Sequence, residues 1–294
     1  MPECARPGGG DPTVIFLHIG KTAGWTLRQV LYRNVRPDLV MRVRPPADRP
    51  RGFLNEEPLR AFATLPVEER ARPRLIVSHM IFGIHASVPR PSTYITLLRE
   101  PVARTISQYR HVLRTKHHRL HRAAVSGELT LERYVCGGQA LEVDNGQTRA
   151  LAGDASTPFG QCSDALLDAA LRNLAGHVSV AGLTERFDET LVMLGAEFGW
   201  QNLYYVRTNT APAGQRLSVS DADRRMIAQR NRLDCELYRI VCDRFQARIH
   251  GDPGFAHRLE LHRRGNALYR PWGQLAYRLH QSAVRATRSR SSAM

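Results

Sequence analysis

The sequence predicts an α/β fold in which a central parallel sheet is flanked by helices on both faces. Short apolar runs typical of buried strands occur at VIFLH (14–18), LIVSH (75–79), TYITLL (93–98) and VSVAGL (178–183). Segments with a helical pattern separate them, and strands that alternate with helices are typical of parallel sheets covered on both faces. In such sheets ligands bind beyond the carboxyl ends of the strands.

Helices are predicted between these strands and after the last of them. The segments with a helical pattern cover residues 25–33, 56–64, 102–115, 166–176, 187–200 and 220–249. Pro101 suits a first helical turn, because its missing N–H would have no acceptor there. The predicted organisation is a flexible N-terminus (1–12), one folded domain (13–250) and a basic C-terminal extension (251–294) that is partly disordered.

The composition predicts a globular protein in a reducing compartment. Hydrophobic residues make up 43% of the chain, and no apolar run approaches the roughly 20 residues of a membrane span. The N-terminus lacks a basic segment followed by an apolar core, so the predicted location is cytoplasmic. Five scattered cysteines without CxxC spacing predict reduced thiols rather than a disulfide framework or a zinc site.

The strong positive charge of the chain predicts an anionic partner. Lys and Arg number 42 and Asp and Glu number 27, which gives a formal net charge of +15. Such a protein attracts polyanions, and the charge alone leaves nucleic acid, anionic lipid, acidic glycan and polyphosphorylated small molecules open.

The segment VIFLHIGKTAGWTL (14–27) joins a buried strand to a helix through a polar turn. Residues 20–22 supply the GKT of a Walker A loop, but Ile15 stands where that motif requires its first glycine. Phosphate binding is still possible, because the backbone N–H groups of residues 22–26 precede a helix and Lys21 adds a positive charge. The turn makes the predicted sheet P-loop-like, and an ordinary turn with a solvated lysine is the alternative.

A second segment, YITLLREPVARTISQYRH (94–111), also carries phosphate-binding residue types. Arg99 ends a predicted strand, and Ser107 follows eight residues later on the next helix. An arginine can bind a phosphate with two hydrogen bonds, and a serine hydroxyl can donate a further one. Taken alone, an arginine at a strand end more often forms a surface ion pair.

Together the two segments resemble motifs of the sulfotransferases that use 3′-phosphoadenosine 5′-phosphosulfate (PAPS). HIGKTAGWTL resembles their HxPKTAGTS-type loop, and LLREPVARTISQYRH resembles their LRDPxxRxxSxY segment. The order and wide separation match as well. The resemblance is to the branch that includes heparan sulfate 2-O-sulfotransferases and many bacterial members.

Further matches extend the resemblance over residues 13–245. The matching segments are SHMIFGIH (78–85), DNGQTRALAG (144–153), VAGLTERFDETLVMLGAEFGW (180–200) and NRLDCELYRIVCDRF (231–245). The chain departs from the family pattern at Gly20, where proline is usual, and at Trp25, where a small or hydroxyl residue is common. A tryptophan side chain cannot replace a hydroxyl donor to phosphate, although its indole can flank the nucleotide or the acceptor.

The resemblance implies that the first loop binds the 5′-phosphosulfate of PAPS and that the second segment binds its 3′-phosphate. VRTNTAP (206–212) resembles a loop that closes over the nucleotide in relatives. The implied cofactor-binding residues are Lys21, Thr22, Ala23, Gly24, Trp25, Thr26, Arg99, Ser107 and Arg207.

The resemblance also implies transfer of a sulfuryl group from PAPS to a hydroxyl. Such a transfer requires in-line placement and stabilisation of charge on the leaving phosphate, for which Lys21 is the candidate. The acceptor hydroxyl requires a base with a pKa near neutral, and His79 matches the catalytic histidine segment of the family. His18 and His85 are the alternatives. No metal is expected, because the backbone, Lys21 and Arg99 supply positive charge.

Several polar residues have two open interpretations. The polar members of DNGQTRALAG either line the acceptor side or serve helix packing and capping, and they are Asn145, Gln147, Thr148 and Arg149. Arg186 either reaches the cofactor or pairs with Glu185. The basic run RTKHHRLHR (114–122) either holds an acidic acceptor or forms a solvated face.

Three alternative functions follow from the same features. A nucleotide-dependent kinase would use the GKT turn with ATP and magnesium, and a non-catalytic polyanion- or nucleic-acid-binding protein would use the charge. An inactive relative of the sulfotransferases is the third. The acceptor is a hydroxyl-bearing molecule, such as an acidic glycan or a lipid, and no motif for a specific nucleic acid is present. The acceptor's identity and the oligomeric state stay open.

Overall fold

Five parallel strands form the centre of the computed structural model, which describes residues 12–43, 52–206 and 217–291, with side chains through residue 279. The strands lie in the order β2-β3-β1-β4-β5, and each neighbouring pair is parallel. Their bounds are β1 (Thr13–Leu17), β2 (Val40–Arg42), β3 (Leu75–Ser78), β4 (Ser92–Leu98) and β5 (Val178–Leu183). The predicted α/β fold with a central parallel sheet is confirmed.

The four strands predicted from apolar runs agree with the structure to within one residue at each end. The sequence does not predict strand β2. It has three residues at the edge of the sheet, none of them buried, and therefore carries no apolar run.

Helices pack on both faces of the sheet. All five residues of β1 are buried, and alternate residues of a strand point to opposite faces, so both faces are covered. The helices are α1 (Gly24–Asn34), α2 (Glu57–Ala63), α3 (Val67–Ala71), α4 (Pro101–Arg114), α5 (His121–Val125), α6 (Leu131–Cys136), α7 (Gly146–Ala152), α8 (Asp164–His177), α9 (Phe187–Phe198), α10 (Asp221–Arg230), α11 (Arg232–His250) and α12 (Phe255–Ser291).

The carboxyl ends of β3, β1 and β4 lie side by side. Strand β1 is central, and Leu17 pairs with Ser78 of β3 and with Thr96 of β4. The residues that follow these strand ends are therefore brought to one edge of the sheet. Three predicted site residues leave the sheet there: His18, His79 and Arg99.

The single long helix predicted over 220–249 is wrong, because the structure divides it at Asn231. Asn231 is buried, its Nδ2 donates to the carbonyl of Ile227 at 3.0 Å, and its Oδ1 accepts from the N–H of Asn145 at 3.1 Å. Hydrogen bonds from an asparagine side chain to the backbone compete with helix continuation. A tertiary contact with another segment thus sets the break.

Helices α7 and α11 cap each other. The Oδ1 atom of Asn145, which precedes α7, accepts from the N–H groups of Leu233 (3.0 Å) and Asp234 (3.3 Å) in the first turn of α11. In return, the Asp234 carboxylate accepts from the N–H groups of Gln147 (3.2 Å) and Thr148 (2.8 Å). Each helix therefore satisfies N–H groups that the other leaves without an intrahelical acceptor.

Asp234 also lies beside a buried cation on α4. Arg104 is fully buried, and its Nη2 atom lies 3.6 Å from Oδ2 of Asp234. The same Nη2 donates to the carbonyl of Glu142 at 2.5 Å, and the guanidinium lies 5.7 Å from the ring of Phe53. Burial lowers the pKa of Arg104, and the charge of Asp234 opposes that shift. One carboxylate therefore joins α4, α7 and α11.

Helix α12 is attached to the rest of the chain by one face. Asn266 is buried and its Oδ1 accepts from the N–H of Tyr205 at 2.7 Å, and the buried His262 lies 3.7 Å from a carboxylate oxygen of Asp188. Among the described residues, no helix combines the length and the apolar character that crossing a bilayer requires.

We expect Asp234→Asn to lower the free energy of unfolding by about 3–5 kcal/mol, because Arg104 would then be buried without a counter-charge. Asp164→Asn is the matched control, because Asp164 forms an ion pair that is exposed to solvent. Its partner is Arg232, at 2.7 Å. The control should cost about 1 kcal/mol or less. Urea unfolding of both variants measures the difference, and equal losses would contradict the role given to Asp234.

Candidate functional site

The turn between β1 and α1 has a strained backbone. Lys21 and Ala23 have positive φ angles of 69° and 61°, which cost non-glycine residues roughly 1–3 kcal/mol each. The first helical hydrogen bonds run from the N–H groups of Thr26 (3.0 Å) and Leu27 (3.2 Å) to the carbonyl of Ala23. The N–H groups of the turn before them lie at the positive end of an 11-residue helix, where backbone donors bind anions.

Thr22 supports this turn from inside. Its side chain is fully buried, and its Oγ1 donates to the carbonyl of Ile19 at 2.9 Å. A hydroxyl has one hydrogen, so this side chain cannot also donate to a phosphate. The structure therefore assigns the Thr22 hydroxyl to the turn and leaves the backbone N–H for the predicted cofactor contact.

His18 packs tightly between the turn and the sheet. A Cβ atom on Gly24 would lie 2.0 Å from Cδ2 and Nε2 of His18, so only glycine allows this approach. The His18 ring stacks on Phe16 and on His79, with ring centroids 5.1 Å and 3.9 Å apart. Burial, and then the nearby charges of His79 and Arg28, lower the pKa of His18 well below its usual value.

His79 has one ring nitrogen with a hydrogen-bond partner and one without, among the described residues. Its Nδ1 lies 2.9 Å from the carbonyl oxygen of His18, which can only accept, so Nδ1 carries the hydrogen and Nε2 carries the lone pair. One side of the residue is solvent-exposed, whereas stacking removes water from the other. This desolvation lowers the pKa of His79, the hydrogen bond to His18 opposes the shift, and Arg28 adds to it. A neutral imidazole with an available Nε2 can accept a proton at neutral pH.

Lys21 belongs to a group of positive charges. Burial first, and then the charges of Arg114 and Arg99, lower the pKa of Lys21 to about 8. Burial and the charge of Lys21 likewise lower the pKa of His111 to about 4. These effects disfavour the charged forms in the free protein, and a bound anion would reverse them.

Helix α4 directs one face toward Lys21 and Arg99. Arg114 and His111 are coupled to Lys21, and Arg110 contributes to the lowered pKa of Arg99. Residues three, four and seven positions apart share one face of a helix, and that face carries Ser107, Arg110, His111 and Arg114. Ser107 is half-buried, and its role in binding the cofactor stays a prediction.

The sequence prediction missed two of these residues. Neither Arg110 nor His111 is a candidate in the sequence, where Arg114 begins the basic run over 114–122. The structure ends α4 at Arg114, so the run does not continue that helix. The available signal was the helical spacing of the two arginines and the histidine from Ser107.

Arg99 is held by its backbone and joins β4 to the turn. Its N–H donates to Oε1 of Gln147 and its carbonyl accepts from Nε2 of the same amide, both at 2.9 Å. Its Nη1 donates to the carbonyl of Lys21 at 3.2 Å, and its Nε lies 3.9 Å from a carboxylate oxygen of Glu185. The side chain is 29% exposed, so part of the guanidinium faces the open edge.

The segment over 144–153 is structural. Arg149 is fully buried between Asp144 at 2.7 Å and Asp154 at 2.8 Å. The other polar candidates of the segment are buried as well, namely Asn145, Gln147 and Thr148. Of the two open interpretations, the structure supports packing and capping, with Gln147 acting on the site through the backbone of Arg99.

Two further candidate site residues bond to side chains outside the site. The Nδ1 atom of His85 lies 3.0 Å from the hydroxyl of Tyr94. Tyr94 is the third of the seven residues of β4, so this contact is made away from the carboxyl end of the strand. The Nη1 of Arg186 donates to Oε1 of Gln246 at 2.5 Å, and its Nε lies 3.6 Å from Glu189. Arg186 is therefore directed toward α9 and α11.

Trp25 departs from the family pattern and lies at the surface. It is 42% exposed, and the guanidinium carbon of Arg28 lies 4.0 Å from the centroid of its ring. Arg28 also lowers the pKa of His79, which places the Trp25–Arg28 pair near the candidate base.

Some predictions fall outside these contacts. Arg207 lies outside the described residues. Within the ranges that the structure describes, no group of three or more His, Cys, Asp or Glu side chains is arranged to hold a metal ion. The four cysteines in those ranges have free thiols: Cys136, Cys162, Cys235 and Cys242.

Comparison with known proteins identifies the family. A family model described as Galactose-3-O-sulfotransferase matches residues 2–257. The chain belongs to this sulfotransferase family. Human heparan-sulfate 6-O-sulfotransferase 1 is 30% identical over 281 residues, covering 81% of this chain and 67% of the relative. Bovine galactose-3-O-sulfotransferase 3 is 28% identical over 237 residues, covering 77% and 55% respectively.

A crystal structure of a sulfotransferase from Alicyclobacillus acidocaldarius is also similar, with a TM-score of 0.40 and 15% identity over 78% of this chain and 95% of that one. The family match confirms the predicted resemblance to PAPS-dependent sulfotransferases and the prediction of a sulfotransferase enzyme. It favours that prediction over the kinase and the non-catalytic binding protein. The chain spans about two thirds of the heparan-sulfate relative and 55% of the bovine galactose relative.

We expect Gly24→Ala to lower the free energy of unfolding by roughly 1–3 kcal/mol, because the added methyl group overlaps the buried ring of His18. Gly176→Ala in α8 is the control, since a Cβ there meets nothing within 4 Å. That variant should be as stable as the wild type or about 1 kcal/mol more stable. Urea unfolding compares them, and a fully stable Gly24→Ala would rule out the tight packing described here.

Proposed function

We propose that this protein transfers a sulfuryl group from PAPS to a hydroxyl group of a glycan, with His79 as the general base. The observation that carries the proposal is the available Nε2 of His79 at the end of β3, beside the cationic turn that follows the neighbouring β1. A neutral base and a set of fixed donors for a developing negative charge are the two parts that this transfer requires.

The cations at the edge of the sheet fit a donor with phosphate groups at two positions. The Nε atoms of Arg99 and Arg110 are buried without a hydrogen-bond partner in the described part of the chain. The pKa of Lys21 is lowered to about 8. A phosphate would supply acceptors to these arginines and stabilise the charge of Lys21. We assign the 5′-phosphosulfate to the turn over 21–26 and the 3′-phosphate to Arg99 and Ser107, as the family motifs imply.

The proposed chemistry exchanges one sulfur–oxygen bond for another. PAPS supplies the sulfuryl group, and the bond from sulfur to the acceptor oxygen forms as the bond to the 5′-phosphate oxygen breaks. His79 takes the acceptor proton on Nε2, while Nδ1 keeps its hydrogen on the carbonyl of His18 and stabilises the resulting imidazolium. Lys21 and the N–H groups of the turn stabilise the charge that develops on the leaving phosphate.

A sugar hydroxyl is the acceptor that the available observations favour. The relatives are named for sulfation of heparan sulfate and of galactose, both of which are carbohydrates. Beside His79, Trp25 offers a partly exposed aromatic surface and Arg28 a positive charge. An aromatic ring packs well against the apolar face of a sugar, and the positive charge favours an acidic glycan. The cytoplasmic location stays a prediction from the sequence.

Calorimetric titration with 3′-phosphoadenosine 5′-phosphate, the desulfated product, tests the donor site. We expect Arg99→Ala to weaken its binding by about 10- to 100-fold, because a charged hydrogen-bond donor to the 3′-phosphate is lost. AMP lacks that phosphate, so its weaker binding should be nearly insensitive to the substitution. Arg239→Ala, at an exposed arginine of α11, serves as the control. Failure of the folded wild type to bind the bisphosphate would refute the PAPS assignment.

Sulfation of a panel of glycans tests the role of His79. We expect His79→Ala to lower kcat by about 10²–10⁴-fold while binding of the bisphosphate is retained. In the wild type, kcat/KM should fall at acidic pH with a pKa below the usual histidine value, because desolvation favours neutral His79. It should fall again above about pH 8, where Lys21 loses its proton. Wild-type kcat in His79→Ala would exclude this histidine as the base.

A further inference from the structure

Helix α12 exposes a stripe of large apolar side chains. Its members are between 52% and 76% exposed, and they are Leu261, Leu268, Trp272, Leu275 and Leu279. Their successive spacings are 7, 4, 3 and 4 residues. At about 100° per residue these spacings place all five within about 40° of one line along the helix. Isolated surface leucines are common, but a continuous stripe with a tryptophan marks an interaction surface.

The stripe is not the face that attaches α12 to the protein. That attachment uses Asn266, which accepts from the N–H of Tyr205, and Gly265, where an added Cβ would lie 2.5 Å from the hydroxyl of Tyr204. Gly273 continues this face, since a Cβ there would lie 2.8 Å from a side-chain carbon of Val206. Asn266 and Gly273 lie about 120–140° around the helix from the stripe, and Gly265, four residues after Leu261, lies at the border between the two faces. The fold therefore holds α12 in place with its apolar stripe directed outward.

Along the stripe itself the charges have one sign, whereas Glu260, which directly precedes Leu261, pairs with Arg264. From residue 261 to residue 279 the sequence has four arginines and no lysine, aspartate or glutamate. Arg264 and Arg278 border the stripe, three residues after Leu261 and Leu275. A partner that covers the leucines must therefore also accept arginine side chains at the margin.

We propose that this stripe docks on an anionic lipid surface. A helical segment with leucine and tryptophan on one side, arginines along its border and no acidic residue from 261 to 279 is suited to the plane of a membrane interface, with its apolar side among the acyl chains. Anionic head groups attract the arginines, and tryptophan is suited to the boundary between apolar and polar layers. A second copy of the same helix would instead bring arginines close to arginines. The proposal concerns a surface separate from the candidate active site and holds whatever the acceptor is.

Vesicle binding of the whole protein tests the proposal. Co-sedimentation is measured with vesicles of phosphatidylcholine alone and of phosphatidylcholine mixed with phosphatidylglycerol. We expect binding to the mixed vesicles only. The combined variant Leu268→Gln, Trp272→Gln and Leu275→Gln should weaken it by more than about tenfold, because each buried apolar side chain contributes at least that factor.

Matched variants separate the apolar and the charged contributions. Val67→Gln with Val125→Gln also removes exposed apolar side chains, 47% and 61% exposed, but on α3 and α5, and should leave binding unchanged. Arg264→Gln with Arg278→Gln should weaken binding to the anionic vesicles by about fivefold for each charge removed. Thermal unfolding of each variant shows that it is folded.

Three outcomes would overturn the proposal. The first is a folded wild type that binds neither kind of vesicle. The second is binding that survives loss of the stripe, or that is equal for neutral and anionic vesicles. The third is a wild type that does not bind vesicles but forms a dimer in analytical ultracentrifugation, with the dimer lost in the stripe variants. That result would assign the stripe to a second copy of the chain.

Discussion

The parallel, in-register pairing of β1 with β3 and β4 is the constraint on which the site depends. Leu17 pairs with Ser78 and with Thr96, so the residues that follow these strands emerge at one edge. His18 leaves β1 at that edge with its carbonyl oxygen 2.9 Å from Nδ1 of His79. A slip of one residue would place alternate side chains on the opposite face of the sheet and separate these groups. The tautomer of the candidate base is thus a consequence of strand register.

The site also requires that the fold hold several positively charged side chains close together while no anion is bound. The charge of Arg99 contributes to the lowered pKa of Lys21, and the charge of Arg110 contributes to the lowered pKa of Arg99, so the grouping is unfavourable in the free protein. The fold offsets this cost by fixing the backbone of Arg99 between the amide atoms of Gln147, and Gln147 in turn lies on a helix capped by Asp234. Preorganised charges of this kind bind an anion without a further cost of ordering.

The basic residues behind the net charge of +15 therefore contribute to two separate surfaces. One is partly buried, where Lys21 lies near arginines of α4 and of the end of β4. The other is exposed, where arginines border the apolar stripe of α12. Burial makes the first selective for groups that can satisfy fixed donors, whereas the second suits an extended surface.

The sequence by itself determined the strand ends and the residue types at them, because buried strands require apolar runs and a phosphate-binding turn requires a helix start beside a lysine. Lys21, His79 and Arg99 could all be named on that basis. Strand β2 could not, since three half-exposed edge residues leave no pattern. The helical spacing of Arg110 and Arg114 from Ser107 was present in the sequence, but which face of α4 meets the turn is decided by packing.

Only the tertiary structure decided the remaining features. Asn231 divides a helix that looks continuous in the sequence, because its amide bonds to Asn145, 86 residues away. The same packing shows that Arg149 neutralises buried carboxylates instead of facing an acceptor. It also sets the tautomer of His79, since the carbonyl of His18, which follows β1, selects which ring nitrogen keeps its hydrogen. Hydrogen bonds between distant segments leave no local periodicity, which is why the sequence alone could name the candidate base but could not orient it.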